Sequence, residues 1–408
     1  MKRIIYREWR LAPQRYWALL ASLAAIAGIG GLAFWYMEHQ GHWVTGMNNE
    51  VVWGMPHIFA VFLIVAASGA LNIASIGTVF GKSTYQPLGR FSALLAVSLL
   101  IGGLMVLVLD LGRPDRLIVA MTSYNFRSIF AWNVILYSGF VAIVVAYLVT
   151  MVDRGFRGYY KVAGTFAFVW RLLLTTGTGS IFGFLVARQA FDTAVLAPMF
   201  IVMSFLYGLA IFMLVLMFTF SQDQRPLGPF IIKRLKGLMG IFISAVLLFI
   251  LIYFLTKLYG AQNYDLVSFY LVSGGRYTLA FWFGWVILGL LAPFGILFHP
   301  ALGQDRRWIA GACGLVVLGG LASMYVIIIG GQAFPMALFP GKTLLDSGFH
   351  DGVGGQIAAY APSMPEFLLG LGGVAVALII TAVGVRVLQF LPESLADKDA
   401  DPHAAVKA

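Results

Sequence analysis

The chain has 408 residues, of which 60% are hydrophobic and only 11% charged, and its mean hydropathy is +0.88. A soluble domain is nearer half apolar and a quarter charged, so this composition excludes a soluble globular protein and specifies a polytopic integral membrane protein. The net charge of +10 sits in short loops between apolar runs, as orientation signals do, and no basic stripe or recognition motif accompanies it; nucleic-acid binding is excluded.

The chain opens on "MKRIIYREWRLAPQRYW", a basic stretch before an apolar run too long for a signal-peptide core. It predicts a first transmembrane helix with a cytoplasmic start. About ten runs in all are long enough to cross a hydrocarbon core: residues 16–35, 52–80, 91–111, 128–150, 163–186, 194–220, 238–259, 277–298, 308–330 and 367–389. They must be helices, because backbone polar groups in lipid need internal partners. The tail at 392–408 is polar, and mobility is expected there.

Lysine and arginine sort the loops into two sets. One holds Lys2, Arg3, Arg7, Arg10, Lys82, Arg90, Arg154, Arg157, Lys161, Arg225, Lys233, Arg234, Lys236, Arg306, Arg307, Arg386, Lys398 and Lys407. The other holds Arg113, Arg116, Arg127, Arg188, Arg276 and Lys342. About eighteen against six is a clear positive-inside bias, which puts both termini in the cytoplasm. Three of the six trans-side cations fall in one loop, "LDLGRPDRLIVAMTSYNFRSIFAWN" at 109–133. Two other trans segments are long. Residues 37–50 carry His39 and His42; residues 331–366 are rich in Gly and Pro and contain "FHDGVGGQ".

The six histidines are His39, His42, His57, His299, His350 and His403. Only His57 and His299 lie near spans, and at opposite ends of theirs, so they cannot share one haem. The single cysteine, Cys313, cannot form an internal disulfide or hold an iron–sulfur cluster alone. No metal-ligand cluster of usual spacing and no phosphate-binding glycine loop is present. The expectation is a protein without haem, iron–sulfur cluster or metal.

Four places carry polar chemistry at the membrane. His57, in "VVWGMPHIF", follows Pro56, expected to disturb the helix start and free backbone groups. It is either an interfacial histidine bonded to backbone or a proton carrier. Asp110 ends the third span, where a carboxylate opposes the helix dipole and needs a cation. It is either a structural ion pair with Arg113 or Arg116 or a proton-handling group. "YNFRSIFAWN" opens the fourth span with Tyr124, Asn125, Arg127, Ser128, Trp132 and Asn133. Asn125 or Ser128 could cap the helix, and Tyr124 and Trp132 could be interfacial aromatics. A polar-headed, apolar-tailed ligand such as a quinone wants this mixture too. Arg171, inside the fifth span, either snorkels to the cytoplasmic side or joins Thr175, Thr176 and Thr178 along a water-filled path.

"LDLGRPDR" followed by "YNFRSIFAWN" resembles the NrfD/PsrC family of polysulfide-reductase-type membrane subunits, and "VVWGMPHIFAVFLIVAASGALNIAS" in the second span agrees. The ten-span form resembles the branches containing HybB and DsrP, and the motif wording is nearest the latter, associated with dissimilatory sulfite reductase. The resemblance implies two four-helix bundles plus two extra C-terminal helices. Carried onto this sequence, the parts are 1–160 with a quinone site, 161–300, 301–391 with a long periplasmic loop, and the tail 392–408. It implies an exchangeable quinone (menaquinone or ubiquinone) near the trans face, bound by His57, Asp110, Tyr124, Asn125, Arg127, Trp132 and Asn133. Asp110 and His57 would handle protons. Partners implied are a ferredoxin-like iron–sulfur subunit on the periplasmic face, other redox subunits and membrane lipid, in the inner membrane of a bacterium and in sulfur metabolism. Two rival classes are a secondary transporter, which would place its polar groups near the bilayer midplane, and a purely structural anchor.

Overall fold

The computed structural model describes residues 4–336 and 357–401. The "FHDGVGGQ" stretch, Lys2, Arg3, Lys342, His350, His403 and Lys407 lie outside the described residues. The protein is an all-α integral membrane protein. Nine helices among the described residues are long and apolar enough to cross a membrane. They are α1 (Pro13–Gln40), α2 (Met55–Thr78), α3 (Gly89–Leu109), α5 (Ile129–Val152), α7 (Leu196–Gln222), α8 (Pro229–Tyr259), α9 (Arg276–Phe298), α10 (Arg306–Ala333) and α11 (Met364–Val387). A tenth, α6 (Tyr160–Gly183), has the same 24-residue length as α2 and packs between α5 and α7. It falls short on apolarity because it carries Arg171 and a run of Thr and Gly. A short helix, α4 (Leu117–Thr122), lies in the α3–α5 connection.

The loops gather at two ends, as the charge pattern requires. At the cytoplasmic end a short strand, β1 (Tyr6–Arg7), pairs antiparallel with β2 (Leu391–Pro392). Arg225 sits beneath this pairing: it pairs with Asp223 and donates to the carbonyls of Glu8, Leu391 and Pro392. Arg386 donates to the carbonyls of Trp9 and Leu11. At the trans end the buried Glu366 accepts from the Gly46 and Ser363 amides and from the Tyr360 hydroxyl.

The helices close into two rings of four. In the first, α2 meets α3, α3 meets α5, α5 meets α6 and α6 returns to α2; in the second, α7, α8, α9 and α10 repeat that order of neighbours. The rings touch through their first helices. Gly69 of α2 and Gly208 of α7 cross backbone to backbone, and a Cβ on Gly69 would fall inside the Ser204 carbonyl oxygen. Small residues let helices in lipid approach until dispersion contacts hold them. The last helix, α11, packs on α3 and α2, and α1 lies along α11.

This grouping is offset by one helix from the division expected from chain order: the added pair is α1 with α11, not α10 with α11. Burial states the difference plainly. The central window of α2 is 100% buried and that of α1 only 11%. Lipid is as apolar as a protein core, so hydropathy alone does not tell an outer helix from a central one.

Candidate functional site

The site lies at the trans end of the first ring. Pro56 falls in the first turn of α2, where a missing amide hydrogen costs nothing. Contrary to the sequence expectation, it starts the helix rather than disturbing it. The amide of Met55 is satisfied from outside by the Tyr360 hydroxyl at 2.6 Å. In the same first turn, His57 Nδ1 stands 2.8 Å from Asp110 Oδ2, the carboxylate at the C-terminus of α3. The Asp110 side chain is 1% exposed. The two groups meet at ion-pair distance without the alignment of a hydrogen bond, and neither carboxylate oxygen accepts from any other described group. The side chain beside Asp110 is therefore His57, not the expected Arg113 or Arg116. Arg113 instead donates to Asp115 at 3.1 and 3.2 Å, and both are exposed. That bond holds the Asp115 carboxyl below the usual carboxylate range.

His57 lines a partly open cavity of about 390 Å³ bordered by α2, α3, α5, α6, the short helix α4, Trp53 ahead of α2 and Ile328 of α10. Each long helix presents one stripe to it. On α2 the stripe is His57, Val61 and Ile64; on α3 it is Leu104, Leu107 and Val108, with Leu111 of the following turn beside them. On α5 it is Phe130, Asn133, Val134, Tyr137 and Ser138, the spacing of one helix face. Leu117 and Met121 of α4 close the trans side. Trp53 forms an aromatic wall with Phe130 and Phe182, at ring separations of 6.1 and 5.6 Å, and stacks on His57 at 6.1 Å. Gln332, buried at the end of α10, fixes that wall. Its Oε1 accepts from the Val52 and Trp53 amides and its Nε2 donates to the Trp53 carbonyl.

Asn133 is 2% exposed. Its amide nitrogen donates to the Ile129 and Gly177 carbonyls at 2.9 and 3.2 Å, which orients Oδ1 as the free end, buried and without a partner. The cavity wall thus holds one unpartnered acceptor, Asn133 Oδ1, and His57, backed by the buried Asp110 carboxylate, beside a largely apolar volume. Leaving such an acceptor unpaired costs about 1–3 kcal/mol, so the chemistry that fits here is a ligand or water with hydroxyls to donate.

The structure brings His57 and Asn133 to the cavity wall, places Asp110 behind His57, and leaves the other sequence candidates outside the wall. Tyr124 is half-buried and stacks on Phe126. Asn125 and Arg127 are exposed, and Asn125 Oδ1 accepts the Arg127 amide. Trp132 is 45% exposed and donates to the Phe126 carbonyl; position 132 falls off the 130, 133, 134, 137 stripe. Ser128 stands at the N-terminus of α5, but its hydroxyl caps nothing. Arg171 does not snorkel. It is wholly buried, donates to Asn72 Oδ1 at 2.8 Å and lies between the Phe168 and Phe205 rings. Thr175 and Thr178 bond back to the carbonyls of Arg171 and Leu174 on their own helix. His299 caps a turn on the opposite face, accepting from the Ala301 and Leu302 amides. No group of three or more metal-ligating side chains occurs among the described residues.

Sequence reasoning missed Trp53, Phe130, Tyr137, Ser138 and Phe182. The signal for three of them was present: Phe130, Tyr137 and Ser138 share the helical face of Asn133. Trp53 and Phe182 precede or sit far from that face, and only the packing brings them in.

An all-α membrane protein, with nine membrane-length apolar helices among the described residues, a cavity at one end of a helix ring and a buried His–Asp pair, is the class that these features define. Residues 43–336 match the family described as polysulphide reductase, NrfD, and the chain belongs to that family. It is similar to the Hdr-like menaquinol oxidoreductase integral membrane subunit of Archaeoglobus fulgidus, 32% identical over 386 residues, 93% of this protein and 94% of the relative. It is also similar to a selenate reductase subunit of Mesobacillus selenatarsenatis, 20% identical over 405 residues, 90% of this protein and 92% of the relative. Protein NrfD of Escherichia coli is 22% identical over 314 residues, 70% of this protein and 96% of the relative.

Proposed function

We propose that this protein is the quinone-reacting membrane subunit of a multi-subunit redox complex, with the first ring as its site-bearing part. The carrying observation is a largely apolar cavity of about 390 Å³ whose wall holds the unpartnered Asn133 Oδ1 and His57, itself backed by the buried Asp110. A quinol fits that donor–acceptor set: it has two hydroxyls to donate, a flat ring for the Trp53 and Phe130 wall, and an apolar tail. The names of the relatives, a menaquinol oxidoreductase subunit among them, support the same reading.

A bound quinol supplies two electrons and two protons, and the electrons pass to a one-electron centre of an iron–sulfur subunit on the trans face. The protein's part is positioning and proton handling. Asn133 Oδ1 accepts one hydroxyl and sets the ring's direction. Asp110 takes a proton, and His57, held at 2.8 Å, balances the carboxylate charge and passes the proton on. Tyr124, Asn125, Arg127 and Trp132 form the outer rim, where the mouth meets lipid headgroups and the partner; Arg113 and Arg116 belong to that docking rim. The finer assignments are menaquinone or ubiquinone as ligand, an inner-membrane complex with its trans side periplasmic, and a sulfur compound as terminal substrate.

The test is fluorescence titration of the purified protein with 2-heptyl-4-hydroxyquinoline N-oxide, a quinol analogue. Saturable binding is expected, weakened by about tenfold, or 1.4 kcal/mol, in Asn133→Leu. No binding by the wild type, or equal binding by Asn133→Leu, would overturn the reading.

A further inference from the structure

A second titratable pair stands just outside the first. Glu38, near the end of α1, and His42, in the turn that follows, face each other with Oε1 and Nε2 at 3.8 Å, too long for a hydrogen bond. Both atoms are buried and have no hydrogen-bond partner, yet the side chains as a whole are 26% and 30% exposed. The pair therefore has an inner, unsatisfied side and an outer, wet side. The inner side rests on the turn that carries Asp110. Gly112 there has φ +68°, and a Cβ on it would lie 3.3 Å from His42 Nε2. Gly112 is two residues beyond Asp110, so their Cα atoms are at most about 7.6 Å apart and His42 rests on the same turn that ends in Asp110. Arg113 joins the group from the loop: it hydrogen-bonds to Asp115 and feels the charge of Glu38.

We propose that His42 and Glu38 are the exit step by which protons leave the Asp110–His57 pair for the trans aqueous phase. The inference rests on the quinone reading above and deepens it. Oxidation of one quinol yields two electrons, taken by the one-electron acceptor of the complex, and two protons. The cavity is apolar and the Asp110 carboxylate is buried, so those protons need a route to water. The proton on the inner pair breaks its bond there and forms an N–H bond on His42. That N–H bond breaks in turn as the proton passes to Glu38, and from Glu38 to solvent. The charged and titratable groups around the passage are Asp110 and His57 on the inner side and Arg113 and Asp115 on the loop. His39 faces away, stacked on Trp35. His42 and Glu38 touch no reacting atom, so they are positioning and relay residues.

The experiment uses the assembled complex, with His42→Ala and Glu38→Gln, and reads quinol-dependent turnover against pH together with analogue binding by the same complex. Expected for His42→Ala is a loss of turnover of about tenfold, below the roughly 10²–10⁴-fold of groups that exchange protons with the reacting atoms, because His42 touches none of them. Analogue binding stays within about twofold of wild type, the basic limb of the pH profile moves, and added imidazole restores turnover. Glu38→Gln shows a smaller loss, and Glu38→Asp restores it. Wild-type turnover and pH profile in His42→Ala would overturn the relay. So would a loss of turnover that imidazole leaves unchanged, or one that tracks lost analogue binding. If the wild-type complex itself fails to bind the analogue, the quinone reading falls first, which separates the two failures.

Discussion

The two rings share an order of neighbours and differ in what fills their trans ends. In the first, α5 offers Asn133, Val134 and Ser138 to the interior, and a cavity of about 390 Å³ is left open. In the second, Tyr253, Phe254, Tyr270, Phe281 and Trp285 occupy the corresponding space, and about 20 Å³ remains, room for a single water. The aromatic rings there pack edge to face, Phe254 on Phe281 at 5.2 Å and Phe281 on Trp285 at 5.9 Å. Two π-helical stretches, Ala280–Leu291 and Tyr325–Gly330, belong to this ring, and within the first of them Phe281 and Trp285 are both turned inward and buried. The same architecture thus leaves a cavity where aliphatic side chains and a few polar ones face the interior, and a filled support where aromatic rings crowd it. The titratable groups follow the cavity: His57 and Asp110 stand at the first ring, and the buried cation of the second, Lys257, is spent on the Gln189 and Asp192 carbonyls.

Substitutions that exchange the character of the rings test this contrast. The largest effect is expected from opening the second ring. Trp285→Ala should cost about 3–5 kcal/mol of stability, read as a lowered unfolding temperature in detergent, without adding a second analogue site. A new saturable site there would break the comparison, since it would show that volume alone makes a binding site. Next, Asp110→Asn keeps the shape of the first cavity and removes the proton acceptor. Turnover in the complex should fall about a hundredfold while the analogue still binds. Unchanged turnover would return Asp110 to a structural role. Gln332→Leu frees the Trp53 wall and should cost about 1–3 kcal/mol, with weaker analogue binding measured by the same titration. The smallest effect is expected from Arg113→Ala: the exposed pair with Asp115 should leave unfolding temperature and analogue binding unchanged, and any loss should appear only in the affinity of the complex for its trans-side partner.

Much of this was legible along the chain. The ten spans match the long helices to within a few residues at most ends, because each helix in lipid must satisfy its own backbone. The largest boundary difference is at α8, which begins at Pro229, well before the expected 238. Its first turns carry Lys233, Arg234 and Lys236, and a hydropathy threshold stops at charge while the hydrogen-bonded helix does not. The candidate site was legible in part. Asn133 was found through a polar residue more than one turn inside a span, but Tyr124, Asn125, Arg127 and Trp132 came with it by proximity in sequence. Helical phase then separates them: 133 shares a face with 130, 134 and 137, and 132 does not.

The sequence by itself determined the class of protein, the approximate position of its long helices and the family motif, because transfer energies act locally, one segment at a time. It also marked His57 and Asp110 as ionisable groups at a trans edge. Only the tertiary structure decided that these two meet, across 53 positions of sequence, at 2.8 Å. It likewise decided that α1 pairs with α11 outside the rings, and that one ring is hollow where the other is filled. In lipid, inward and outward faces are equally apolar, so hydropathy carries no record of which helix is central. That choice is made by close packing at crossings such as Gly69 on Gly208.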